Sequence, residues 1–161
     1  MNKITNIVVA GLGGQGVLKA SDIIADVAFQ AGLDVKKSEI HGMAQRGGSV
    51  SSDVRYGERV HSPMVPAGEA EYLVVISADQ VPVNIAALKA NGVLIEPSMV
   101  DESKLRSKKS INVALLGALS HHLQFSDEEW IAAIKRGLPE ALHASNIEAF
   151  YLGKGILAPA R

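Results

Sequence analysis

The apolar positions along this chain change their period at regular intervals, and the changes mark alternating strands and helices. Ile7-Val8-Val9-Ala10 is a continuous apolar run, as a strand buried on both faces requires. Gly11, Gly13, Gly14 and Gly16 follow. From Val17 the spacing turns helical: Val17, Ala20, Ile24, Val27, Ala28 and Ala31 share one face, and Lys19, Asp22, Asp26 and Gln30 take the other. Gly32 stands where such a helix stops. Leu33 to Ser38 then reads as a second strand, which makes a right-handed βαβ unit. Val50 to Tyr56 alternates strictly. Gly57-Glu58 suits a two-residue turn, and Arg59 to His61 a returning strand, so a hairpin is predicted at the sheet edge, ended by Pro63 and Pro66.

The second half keeps the alternation. Tyr72-Leu73-Val74-Val75-Ile76 is another buried strand. Asp79 is placed to cap a helix over Gln80 to Ala90, stopped by Asn91-Gly92, and Val93-Leu94-Ile95 is the next strand. Asp101 to Ser110 is polar and carries Lys104, Arg106, Lys108 and Lys109; it reads chiefly as a solvated loop or short helix, with a basic surface for an acidic partner as the lesser reading. Val113, Leu115, Leu116, Leu119 and Leu123 mark a helix that carries His121-His122. Adjacent histidines on a helix point about 100° apart, so this pair is read as surface and not as a metal site. Ser126-Asp127-Glu128-Glu129 is a capping box, with Phe125 and Trp130 as its hydrophobic staple. That helix ends at Gly137. A last helix runs from about Pro139 to Leu152, with Gly153 and Gly155 beyond it. The predicted fold is a single α/β domain over residues 1–161: a Rossmann-like three-layer α/β/α sandwich, its sheet mostly parallel with an antiparallel edge hairpin.

Two stretches carry candidate chemistry. Gly11, Gly13 and Gly16 fit G-x-G-x-x-G between a strand and a helix, where free backbone N–H groups favour an anion. The same glycines serve equally well as a tight turn that lets helix pack on strand. A dinucleotide site would also need an acidic residue about 20 residues on, for which Glu39 is the candidate; a solvated loop carboxylate is the favoured alternative. The second stretch, Ser38 to Ser49, has no period and is crowded with hydrogen-bonding groups. Long polar loops at the carboxyl ends of parallel strands line ligand crevices. Arg46 offers a planar cationic fork for carboxylate or phosphate, or a salt bridge that fastens the loop. His41 can carry a proton near neutral pH, or serve as a hydrogen-bonded structural histidine.

Composition narrows the classes. The chain has 161 residues, 47% hydrophobic and 20% charged, with a formal net charge of −1. That is an ordinary globular composition without the basic excess of a nucleic-acid binder. There is no cysteine. A disulfide framework, a thiolate zinc site and a cysteine-ligated iron–sulfur cluster are thereby excluded within this chain. No apolar run approaches the roughly 20 residues of a membrane span, and no signal-peptide pattern is present, so the expected location is the cytoplasm.

Taken together, Gly11 to Val17 (G-L-G-G-Q-G-V) and Ser38 to Val50 (S-E-I-H-G-M-A-Q-R-G-G-S-V) resemble the gamma-type domain of 2-oxoacid:ferredoxin oxidoreductases, and most closely its indolepyruvate type. Ser62-Pro63 with Pro66, Asn112 ahead of Leu116-Gly117-Ala118, and Asn146, Ala149, Phe150 and Gly153 agree with it. The resemblance covers nearly the whole chain. It implies an enzyme that converts a 2-oxoacid and coenzyme A into acyl-CoA, carbon dioxide and two reduced ferredoxins. Thiamine diphosphate, magnesium and iron–sulfur clusters would sit on a larger partner subunit, with none in this chain. The chain would be an accessory subunit, inactive alone, reaching ferredoxin through the complex. It would carry an apolar patch around the glycine turn and the His41–Ser49 loop, covered by self-association when isolated. Residues expected to touch ligand or partner are Gly11, Gly13, Gly14, Gln15, Gly16, Glu39, His41, Gly42, Gln45, Arg46, Gly47, Gly48 and Ser49, and no catalytic or metal-binding residue is assigned. The alternative is a free-standing nucleotide-binding module that uses Gly11, Gly13, Gly16 and Glu39.

Overall fold

The computed structural model describes residues 3–41 and 48–157. In chain order the elements are β1 (Ile4–Leu12), α1 (Val17–Gln30), β2 (Asp34–His41), β3 (Ser49–Gly57), β4 (Ala70–Val75), α2 (Val81–Asn84), β5 (Leu88–Ile95), α3 (Ile111–Ser120), α4 (Asp127–Gly137) and α5 (His143–Leu157). The apolar run of β1 is explained by its place: the sheet order is β2-β3-β1-β4-β5, so β1 is central and both faces of it are enclosed. β4 pairs parallel with β1, and β5 parallel with β4. β3 pairs antiparallel with both β1 and β2. Four strands therefore point one way and β3 alone opposes them, in an α/β domain of Rossmann-like kind.

The antiparallel edge exists, with different partners from those expected. β2 and β3 form it, joined through residues 42–48. Arg59 to His61 is not a strand, because the Val60 N–H is taken by the Asp34 carboxylate at 2.8 Å and not by a ladder carbonyl. That bond also holds the Asp34 carboxyl below its usual range, with Lys36 assisting. β2 does lie parallel to β1 in direction, but β3 is inserted between them, so the first βαβ unit is split. The helix expected over Gln80 to Ala90 is also corrected. Ala78–Gln80 and Ile85–Ala87 are 3-10 turns around the single turn of α2, and β5 already begins at Leu88. Asp79 does not cap this segment; its carboxylate accepts from the Ser77 hydroxyl at 2.7 Å. Asn91, at φ 67°, and Gly92 sit inside β5 where its register with β4 shifts, marking an irregularity in a strand and not the end of a helix.

The main core lies on one face of the sheet. Ile7, Val9, Val54, Tyr56, Val74 and Ile95 point there and meet α1, α3, α4 and α5. The α4 start follows its sequence: Ser126 accepts from the Glu129 N–H at 3.1 Å, Glu129 answers on the Ser126 N–H at 2.9 Å, and the Phe125 and Trp130 rings lie 6.2 Å apart. Gly153 does not terminate the last helix. It lies within α5, and a Cβ there would stand 1.7 Å from the Ala114 carbonyl oxygen of α3. Gly117 of α3 is the reciprocal case, its Cβ position 1.9 Å from the Phe150 carbonyl oxygen. These two glycines bring the two helix backbones into contact.

The opposite face is thinly covered. Val8, Ala70, Leu73 and Val75 form a small second cluster beneath Val65, Val81 and Ala87. A strap over residues 60–69 is tied down by polar side chains: Arg55 donates to the Ser62 carbonyl, Asp53 accepts from the Val65 N–H at 2.9 Å, and Asn6 donates to the Glu69 carbonyl. Asp53 is only 6% exposed. Burial pushes its carboxyl above the usual range, opposed by the Val65 N–H and the nearby Arg55.

Candidate functional site

The end of β1 and the start of α1 are locked from both sides. Gly11 ends in a space too small for a side chain: a Cβ there would stand 2.9 Å from Gln15 Oε1 and 3.0 Å from Val17 Cγ2. Gln15 folds back over the strand, its Oε1 accepting from the Leu12 N–H at 2.7 Å. Gly16 is the N-cap of α1 at φ 84°, and no side chain caps it. Asn112, buried at the start of α3, donates to the Gly16 carbonyl at 3.2 Å. Gly14, at φ 88°, stands exposed with open space around it. The first turn of α1 has no acidic residue, so its N–H groups remain suited to an anion.

β3 brings the far end of the polar loop to this turn. Leu12 pairs with Ser49, and the Gly13 N–H donates to the Gly48 carbonyl at 2.8 Å. The Ser49 hydroxyl donates to Gln80 Oε1 at 2.8 Å, and Gln80 is buried. Gly48, Ser49 and the Gly13–Gly16 turn are thus neighbours at the carboxyl end of β1. Gly42, Gln45, Arg46 and Gly47 lie outside the described residues, as does the His41 side chain. The His41 backbone pairs with Val50 at the end of β2.

Glu39 is not brought to the turn. It sits on edge strand β2, exposed, with its carboxylate 3.4 Å from Lys37 Nζ. Because β3 separates β2 from β1, Glu39 is two strand spacings, about 10 Å, from the glycine strand. A ribose partner for a dinucleotide on Gly11–Gly16 would need β2 beside β1. His121 and His122 follow the far end of α3, away from Asn112 and the turn. His121 Nε2 meets the Lys154 carbonyl, and His122 lies against Tyr72 with ring centroids 5.7 Å apart. Burial, and then the charge of His121, hold the His122 imidazole below its usual range. Among the described residues no group of three or more His, Cys, Asp or Glu side chains could hold a metal. No helix among them is long and apolar enough to cross a membrane.

A cleft of about 550 Å³ opens beside the turn. Gly14 to Gly16 form one wall, Ile76 to Ala78 after β4 the floor, and Pro97, Glu102, Lys108 and Lys109 the far side. It lies where the chain leaves β1 toward β2 on one side and β4 toward β5 on the other, the switch point at which open α/β sheets take ligands. In the sequence, Lys108 and Lys109 read chiefly as part of a solvated loop or short helix, with a basic surface for an acidic partner as the lesser reading. The available signal was their position just beyond Pro97, after the strand pair that makes the switch point. Neither ammonium forms an ion pair among the described residues, so both remain free to meet an anion.

Residues 6–103 match the pyruvate ferredoxin/flavodoxin oxidoreductase family. The chain belongs to that family. Within it, the indolepyruvate oxidoreductase subunit IorB of Methanothermobacter thermautotrophicus is 54% identical over 69 residues, which span 43% of this chain and only 35% of that relative. The IorB subunit of Thermococcus kodakarensis is 32% identical over 188 aligned positions, covering 92% of this chain and 93% of the relative. Among solved structures, the gamma subunit of a keto/oxoacid ferredoxin oxidoreductase from Geobacter sulfurreducens superposes with a TM-score of 0.79 at 25% identity, over 94% of this chain and 97% of that one. The 2-oxoglutarate:ferredoxin oxidoreductase of Magnetococcus marinus shares the fold with a TM-score of 0.83 at 21% identity. There the likeness covers 97% of this chain but 31% of a longer one.

Proposed function

We propose that this chain is the accessory subunit of a thiamine-diphosphate-dependent 2-oxoacid:ferredoxin oxidoreductase of the indolepyruvate type, inactive alone. The observation that carries the reading is the likeness to an IorB subunit across nearly the full length of both chains. The chain has no cysteine to ligate an iron–sulfur cluster, so this reading puts the clusters on the larger subunit, and thiamine diphosphate and magnesium go there with them by likeness to the family. Ferredoxin is then reduced through the assembled complex.

This chain's own residues bind and orient. The Gly14–Gly16 backbone, Lys108 and Lys109 suit the phosphates of coenzyme A, and the cleft lies on its path. Gly47 and Gly48 let backbone approach a ligand or partner. Arg46 pairs with a carboxylate or phosphate, and His41 and Gln45 orient their neighbours. None of these groups attacks substrate. The competing reading, a free-standing nucleotide binder, draws on the same cleft, but its acidic residue, Glu39, sits on edge strand β2 away from the turn.

Reconstitution tests the reading. Chain plus larger subunit is expected to give electron-acceptor reduction that needs both an aryl 2-oxoacid and coenzyme A, with no activity from the chain alone. Micromolar binding of NAD or NADP by the isolated chain, with no complex formed, would favour the nucleotide module instead.

A further inference from the structure

The two faces of the sheet are finished differently. On one, four helices of ten or more residues seal the core. On the other, the described residues offer only the single turn of α2 with its flanking 3-10 turns, beside the strap that crosses from β2 and β3 to β1. No helix is described over the β2–β3 half of that face, whose cover is the strap alone, held by Asp34 of β2 and by Asp53 and Arg55 of β3. By the ladder register, Lys36, Ser38 and Ile40 of β2 point there together with Ser51 of β3. Ile40 is exposed, and so are Met64 of the strap and Val83 and Ile85 at α2. Of the seven large apolar side chains exposed among the described residues, these four belong to this one side. Sheets with parallel strands ordinarily have both faces covered, and exposed apolar clusters mark association surfaces.

We infer that this face is where the larger subunit of the oxidoreductase docks, packing against its thin cover of strap and single turn. The inference rests on the proposed function. Two observations choose the occupant. The matching relatives are themselves named as subunits. In the Magnetococcus marinus protein the same fold is 31% of a longer chain, so there the unit is part of a larger polypeptide. The surface is also continuous with the candidate site. Gln80, just ahead of α2, holds the Ser49 hydroxyl, and Ser49 pairs with Leu12 at the glycine turn. A subunit seated on Ile40, Met64, Val83 and Ile85 therefore reaches the Gly13–Gly16 edge. It would present apolar side chains to those four and hydrogen-bonding groups to Ser38 and Ser51.

The test compares faces in the reconstituted complex. Val83→Asp, alone and with Ile40→Asp, is set against Phe29→Asp on α1, whose ring is 66% exposed on the helical side. The double variant is expected to weaken association with the larger subunit on the order of 100-fold, since two central apolar contacts are lost. Val83→Asp alone, on an exposed turn, should lose part of that while keeping the wild-type circular dichroism and melting curve. Phe29→Asp should associate as wild type. Wild-type association by both Val83 variants would overturn the inference, as would loss of association with Phe29→Asp alone. If the wild-type chain dimerises through Val83 and ignores the larger subunit, the occupant is a second copy. If it binds no larger subunit in any form, the subunit reading itself falls.

Discussion

Gly16 is held in the left-handed region at φ 84°, and a Cβ added there would stand 2.5 Å from Asn112 Nδ2. Gly14 has nearly the same φ, 88°, with nothing within 4 Å. The pair separates two effects that a glycine motif mixes. Gly14→Ala should cost only the left-handed penalty, about 1–2 kcal/mol. Gly16→Ala should cost clearly more, because it also displaces the buried Asn112 amide that ties α3 to the turn. Urea unfolding with an unchanged m-value measures the difference; equal losses would mean Asn112 yields freely. Asp53 makes a second prediction. Its raised pKa means that the folded chain binds its proton more tightly than the unfolded chain does. Between the ordinary carboxyl range and the raised value, this group's contribution to stability falls as pH rises. Asp53→Asn, which keeps an oxygen for the Val65 N–H, should therefore gain on wild type as pH is raised from below 4 to 7. A gap between the two unfolding free energies that stays flat with pH would refute the buried-carboxylate account.

At the scale of elements, what the sequence disclosed depended on how local the cause was. The capping box at Ser126 and the staple of Phe125 on Trp130 are fixed within five residues, and both are present as read. So is the end of α1, where the Gly32 N–H donates to the Phe29 carbonyl. The alternation over β3 showed a strand, but not that its neighbours would be β1 and β2, since pairing joins residues as distant as Ile4 and Gly57. Gly153 was read as a stop because a glycine near a helix end usually is one. Its actual cause is Ala114, on another helix. Gly153→Ala should force α3 and α5 apart, because the clash is with backbone and no side-chain rotation relieves it. The expected loss is at or above the roughly 1–3 kcal/mol of ordinary overpacking. Gly155→Ala, with nothing within 4 Å, is the control in the same helix and should be neutral or stabilising. Similar melting temperatures for the two variants would show that the α3–α5 contact can relax.

At the scale of the molecule, the glycine motif was legible and its setting was not. The turn looks like a dinucleotide site because the local requirements are the same: strand, glycines, helix. The inserted β3 changes what surrounds it, taking Glu39 away and bringing Gly48 and Ser49 in. The far wall of the cleft comes from residues some 90 positions further on, among them Lys108 and Lys109. If this cleft receives the phosphates of coenzyme A, those two lysines act by charge, and the effect must be selective. Subunit carrying Lys108→Glu and Lys109→Glu should assemble normally and raise the KM for coenzyme A by about tenfold or more, as lost charge-assisted contacts of 1.5–3 kcal/mol imply. The KM for the 2-oxoacid should stay put. Added salt should raise the coenzyme A KM of wild type and lower that of the variant, because it screens an attraction in the first and the repulsion from two new carboxylates in the second. Glu102 lines the same cleft, so Glu102→Gln should shift the KM the other way by lifting a like-charge repulsion from the incoming phosphate. An unchanged coenzyme A KM in the double variant would take this cleft off the co-substrate's path, and a rise confined to the 2-oxoacid would assign it to the other reactant.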